Sequence, residues 1–331
     1  MREKIIKSDI IKIVFINIIS QGLLLIVTGT FWDDWFYYYH DRTGLWMEFM
    51  EAGRPSSAYW VEAVWNIPHY GYRWLVFLLF LLTSIILYLL LRNCDMFNGD
   101  EALWLSVLYT AVPINDARII LCTFSYAVGL TSFFIGCYVF SKYIKSEVSK
   151  KKIFLRVVSL AFFGYSFIIQ SILIYYAVIL CYILYFEYKN KGRLLKAIHA
   201  MLGYLDFIVL PIAFYIGKQR LFPTYGARFA GYNLVTWESV LESAFRLPLA
   251  AIKQFQRNWI TIFEFMATGK VIQFLTIPIV IFAVIRAAVW CCNYVRTNKP
   301  QNGEGGGYRI RKYRNYCLVF LYLQWGCTHT M

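Results

Sequence analysis

Two adjacent carboxylates, Asp33 and Asp34, follow the first long apolar segment and open an aromatic, charged loop that runs to about Tyr72. A carboxylate at a membrane–water boundary is costly to desolvate and is a functional candidate on that ground. The chemistry open to it is that of a general base. The negative end of the preceding helix disfavours an anion by ~0.3–1 kcal/mol. Partial desolvation raises the carboxyl pKa in the same direction, which suits a base working near neutral pH. Neighbouring residues on a helix point about 100° apart, so one of the two faces the site and the other caps the loop or orients an acceptor. The plainer role is an N-cap for a short loop helix starting at Trp35.

Cations supply the complementary chemistry. Arg54 stands in Gly53-Arg54-Pro55, where glycine permits an unusual turn and proline suits the first position of a helix. In the helix that follows, Trp60, Val61, Val64 and Trp65 share one face, the pattern of a short helix lying in the membrane interface, able to roof a site at headgroup depth. Arg118 lies next to Asp116, with which an ion pair is the plainer reading. Arg228 sits between two glycines in a Tyr-bearing loop. Guanidinium groups grip phosphate in bidentate fashion, so each of these arginines is a candidate phosphate ligand. The plainer role for Arg228 is contact with anionic lipid headgroups. Gln170 is polar at an expected helix end. His40 and His69 share the first loop with the aspartates, so a divalent metal is conceivable, but the spacing of a metal site is lacking and no cofactor is otherwise implied.

The elements that must position these groups are helices in a bilayer. The chain has 331 residues, 59% of them hydrophobic, with 27 Phe and 26 Tyr. Its repeated apolar runs of about 17–25 residues each fit a membrane-crossing helix. The alternation a membrane barrel needs is absent. The expected fold is therefore all-α: a polytopic transmembrane bundle of about eight helices plus a partial ninth, forming one domain over residues 1–331. The spans fall near residues 10–30, 73–91, 102–112, 119–140, 153–170, 171–186, 197–217 and 271–290, the third being thin. The +14 net charge does not indicate nucleic acid, because most basic residues lie in short loops between apolar runs. Those loops, at residues 142–152, 189–196 and a basic linker at 291–315, read as cytoplasmic together with the N-terminus. Residues 31–72 and 218–270 then face out. Residues 316–325 are too few to span, which reads as an interfacial piece or as a span cut short by truncation, the second being favoured. The eight cysteines are scattered, with no disulfide framework.

Asp33-Asp34-Trp35, then Gly53-Arg54-Pro55, then Phe124-Ser125-Tyr126 after Pro113, then Gln170 at a helix end, resemble in order the membrane glucosyltransferases of bacteriophage serotype-conversion and O-antigen loci. The resemblance covers roughly residues 1–190 and places the chain near the broader GT-C class. It implies a bacterial inner-membrane enzyme with a polyprenyl-phosphate sugar as donor, glucose being favoured. The acceptor is a surface polysaccharide or its lipid-linked precursor. One aspartate deprotonates the acceptor hydroxyl, and Arg54, Arg118 or Arg228 steadies the departing phosphate, with Tyr126 and Gln170 lining the substrate site.

Three other readings compete. An O-antigen or capsule polymerase or ligase also joins lipid-linked glycans, and the basic stretch at residues 218–270 suits it. A transporter or flippase needs broken or charged mid-membrane positions and often internal repeats, whereas the polar residues here are expected at helix ends. An inactive, truncated remnant is the fourth.

Overall fold

A computed structural model describes residues 2–26, 34, 40–67, 69–94, 97–111, 124–169, 172–229 and six single positions between 246 and 260. Nearly all of these belong to one compact unit within residues 1–234. The expected helix at 271–290, the linker at 291–315 and the run at 316–325 lie outside the described residues.

The described chain is all-helical. In order it forms α1 (Arg2–Gln21), α2 (Arg42–Glu51), α3 (Pro55–Val64), α4 (His69–Asn93), α5 (Gly99–Ala111), α6 (Phe124–Ile144), α7 (Ser149–Ser166), α8 (Ala177–Lys191), α9 (Leu194–Ala200) and α10 (Leu205–Leu221). Three described segments are long and apolar enough to cross a membrane: Gly71–Asn93, Phe124–Ile144 and Leu194–Leu221. Large apolar side chains face outward on α1, α4, α7 and α10, among them Ile11, Phe15, Leu78, Phe154 and Ile212. Exposed apolar surface on that scale belongs in lipid, so this is a membrane protein. The other expected spans differ for local reasons. Helix α1 begins at Arg2 and carries Lys4, Lys7, Asp9 and Lys12; α7 opens on three lysines; α8 is only 15 residues long.

The α6–α7 pair is the centre of the bundle. Its close approach is set by glycine: a Cβ at Gly136 would lie 2.8 Å from the Phe163 ring, and one at Gly129 2.7 Å from Ile169 Cδ1. Ser159 Oγ donates to the Gly136 carbonyl at 3.1 Å across the same seam. Small residues let helix backbones meet in a bilayer, where packing and not water exclusion holds helices together. Fully buried Phe163 is boxed by Phe133, Phe140, Tyr176 and Phe207, at centroid distances of 5.8, 6.2, 5.0 and 6.3 Å.

On the other side, α1 and α5 run parallel with α4 against them. Ile13, Tyr88 and Ala102 form a buried cluster. Tyr88 donates to Asp9 at 2.7 Å, Arg92 donates to Tyr88 at 2.8 Å, and Lys12 donates to Asp9 at 2.9 Å. Burial pushes the Asp9 carboxyl up, but the hydrogen bonds from Tyr88 and Lys12 and the charges of Lys12 and Arg92 outweigh it and hold the pKa low. The buried face of α1 continues through Asn17 to Gln21, which donates to the Thr110 carbonyl at 3.2 Å. Polar groups therefore lie inside the bundle as well as at helix ends, contrary to the sequence expectation. Helix α5 starts on a reciprocal cap, the Asn98 side chain accepting from the Glu101 amide and Glu101 from the Asn98 amide, each at 2.9 Å.

The segment expected as one helix over residues 197–217 is broken into α9, a 3-10 turn at Met201–Tyr204, and α10. The Arg156 side chain locks the break, with two bonds of 2.6 Å to Asp206 and one of 3.0 Å to the Gly203 carbonyl. Within α10, Pro211 has no amide to offer the Phe207 carbonyl four residues back. The Tyr176 hydroxyl donates to that carbonyl at 3.0 Å instead. Tyr176→Phe is expected to cost about 1 kcal/mol by leaving a buried acceptor unmet. Thermal unfolding in detergent measures this. The loss should shrink in the double variant Tyr176→Phe/Pro211→Ala, where the helix regains its own amide donor.

Candidate functional site

One end of the bundle is roofed by a helical hairpin, α2 and α3. Asp41 caps α2 by accepting from the Gly44 amide at 2.8 Å. The turn between the helices needs a left-handed residue, and Gly53 supplies it at φ 63°. Pro55 then occupies the first helical position, as the sequence implies. The hairpin is closed by a Trp46–Tyr59 edge-to-face contact at 5.0 Å and by an Arg42–Glu62 ion pair.

Helix α3 is docked on the bundle. Ser57, Ala58 and Val61 are buried. The Ser57 and Ser125 hydroxyls lie 3.4 Å apart, the Trp60 ring meets Phe124 edge-on at 5.4 Å, and Trp60 Nε1 donates to the Tyr165 hydroxyl at 2.6 Å. Trp60, on the apolar face read from the sequence, thus meets both α6 and α7.

The chain returns to this roof after α10. The Tyr225 amide donates to the Glu51 carbonyl at 3.0 Å, and Arg228 pairs with Glu48 while lying over the Phe229 ring. A Cβ at Gly53 would stand 2.8 Å from the Phe222 carbonyl oxygen, so glycine also allows the two segments to touch. Between them lies a cavity of about 280 Å³, lined by Gly53, Arg54, Pro55 and Ser56 on one side and by Ile168, Phe214, Gly217, Lys218, Leu221 and Phe222 on the other. Arg54 Nη1 donates to the Tyr126 hydroxyl at 3.2 Å. A mostly apolar hollow with two cationic side chains in its wall suits an amphiphilic anion.

The structure thus brings together Arg54 and Tyr126, which are 72 positions apart in sequence. Asp34 is fully buried. Arg228 is committed to Glu48 and does not line the cavity. Asp33, Arg118 and Gln170 lie outside the described residues. Among the described residues, no three His, Cys, Asp or Glu side chains gather as a metal site requires. Sequence reasoning did not single out Lys218, which lines the cavity, because it stood as one cation among several in the basic stretch at residues 218–270.

No family model, curated protein or solved structure matches this chain. Function is therefore argued from the chain's own geometry.

Proposed function

We propose that this protein is a glycosyltransferase of the bacterial inner membrane, with its N-terminus in the cytoplasm. It moves a sugar, with glucose the first choice, from a polyprenyl-phosphate donor to a surface polysaccharide or its lipid-linked precursor. The observation that carries the reading is the apolar cavity beside the membrane spans, with Arg54 in its wall and Tyr126 held against Arg54. The lipid chain would lie along apolar walls while the guanidinium meets the phosphate.

In this reaction the acceptor hydroxyl attacks the anomeric carbon. The bond from that carbon to the phosphate oxygen breaks, and the electron pair leaves with the phosphate. Asp34, a buried carboxylate, takes the hydroxyl proton. Arg54 balances the charge gathering on the leaving phosphate, an interaction that strengthens in a dry site.

The test is transfer by the full chain in vesicles. Undecaprenyl-phosphate glucose should be consumed in the presence of O-antigen polysaccharide, with release of undecaprenyl phosphate and glucose appearing on the polymer. Consumption of only diphosphate-linked glycans would replace this reading with a polymerase or ligase. Movement of the donor across the bilayer without bond cleavage would replace it with a flippase.

A further inference from the structure

We infer that Lys218 and Arg54 together form one seat for a phosphoryl group carried on an isoprenoid chain, with Lys218 as a phosphate-binding residue contributed by the end of α10. The assignment builds on the transferase reading above and adds a residue that lies beyond the region of family resemblance.

Three observations support it. First, the two cations come from elements 164 positions apart and meet in the wall of one cavity. Second, Lys218 is half-buried and pairs with no carboxylate among the described residues, whereas its neighbour Arg220 is exposed. A lysine serving only to reach the interface would direct its ammonium to water. Third, the walls between the cations are apolar: Pro55, Ile168, Phe214 and Leu221. Leu221 is itself 73% exposed, and Ile212 and Ile216 are exposed on the same helix, so the hollow opens onto an apolar outer surface. That shape fits an anionic head with a long hydrocarbon tail better than a free anion. Arg54 brings a fork and Lys218 a compact point charge, two complementary ways to hold phosphoryl oxygens.

The test is direct binding of undecaprenyl phosphate, without any sugar, to the purified full chain in nanodiscs, followed by tryptophan quenching. Arg54→Gln and Lys218→Gln should each weaken binding on the order of tenfold to a hundredfold, the worth of one charge-assisted contact. Lys218→Arg should keep most of the affinity, which separates lost charge from lost folding. Lys151→Gln, on a distant basic turn, should bind as the wild type does. Undecaprenol, the same chain without phosphate, should bind far more weakly. Millimolar inorganic phosphate should not displace the lipid, because it lacks the tail. Equal affinity in folded Lys218→Gln and wild type would overturn the seat, as would equal binding of undecaprenol or ready displacement by inorganic phosphate. If the seat binds as stated while no sugar is transferred, the transferase reading fails and the seat stands.

Discussion

Asp34→Asn should lower sugar transfer on the order of 10²–10⁴-fold, the usual worth of a positioned general base. The carboxylate is fully buried, and Asn keeps its volume while removing its basicity. Affinity for undecaprenyl phosphate should change little, since the base acts on the acceptor proton as the transition state forms and not on the bound donor. Transfer rate and lipid affinity measured on the same preparation give the answer. A variant that transfers at near the wild-type rate would make Asp34 a structural carboxylate and leave Asp33 as the remaining base to test.

The largest expected effect on stability lies at the α6–α7 seam. A glycine inside a helix is ordinarily a weak point, and replacing it by alanine gains about 0.5–1 kcal/mol. Gly164 meets nothing within 4 Å of a built Cβ, so Gly164→Ala should follow that rule. Gly136→Ala should do the opposite. Its new methyl would meet the Phe163 ring at 2.8 Å, and that ring is held by four aromatic neighbours. Overpacking of this kind costs about 1–3 kcal/mol, and Gly136→Val should exceed Gly136→Ala. Thermal unfolding of the three variants in one detergent compares them. A stabilised Gly136→Ala would mean that the seam relaxes freely.

The sequence exposed the scaffold far better than the site. Apolar runs over residues 73–91 and 119–140 located α4 and α6, the latter described over Phe124–Ile144. Asp9 of α1 meets Tyr88, and Asn93 at the end of α4 meets Ser141 at the end of α6, so these helix ends lie together. The break at Met201–Tyr204 was hidden because Leu202, Tyr204 and Leu205 keep the run apolar through the turn. Asn17 and Gln21 went unread because two amides in an apolar helix leave hydropathy almost unchanged. Arg54 and Tyr126 were found as separate motifs, and only the fold makes them one contact. Lys218 was invisible as a ligand, since a single lysine at a span's end has the same pattern whether it meets water or a cavity.

The contact between Gly53 and the Phe222 carbonyl also sets an order of assembly. The roof turn leaves the ribosome early and the opposite wall of the cavity some 170 residues later, counting Gly53 to Phe222. A nascent chain stopped before α10 has the hairpin, the buried α6–α7 seam and no hollow between Arg54 and Lys218. The cavity is thus completed late in insertion, when the last of these helices is threaded beside segments already in place.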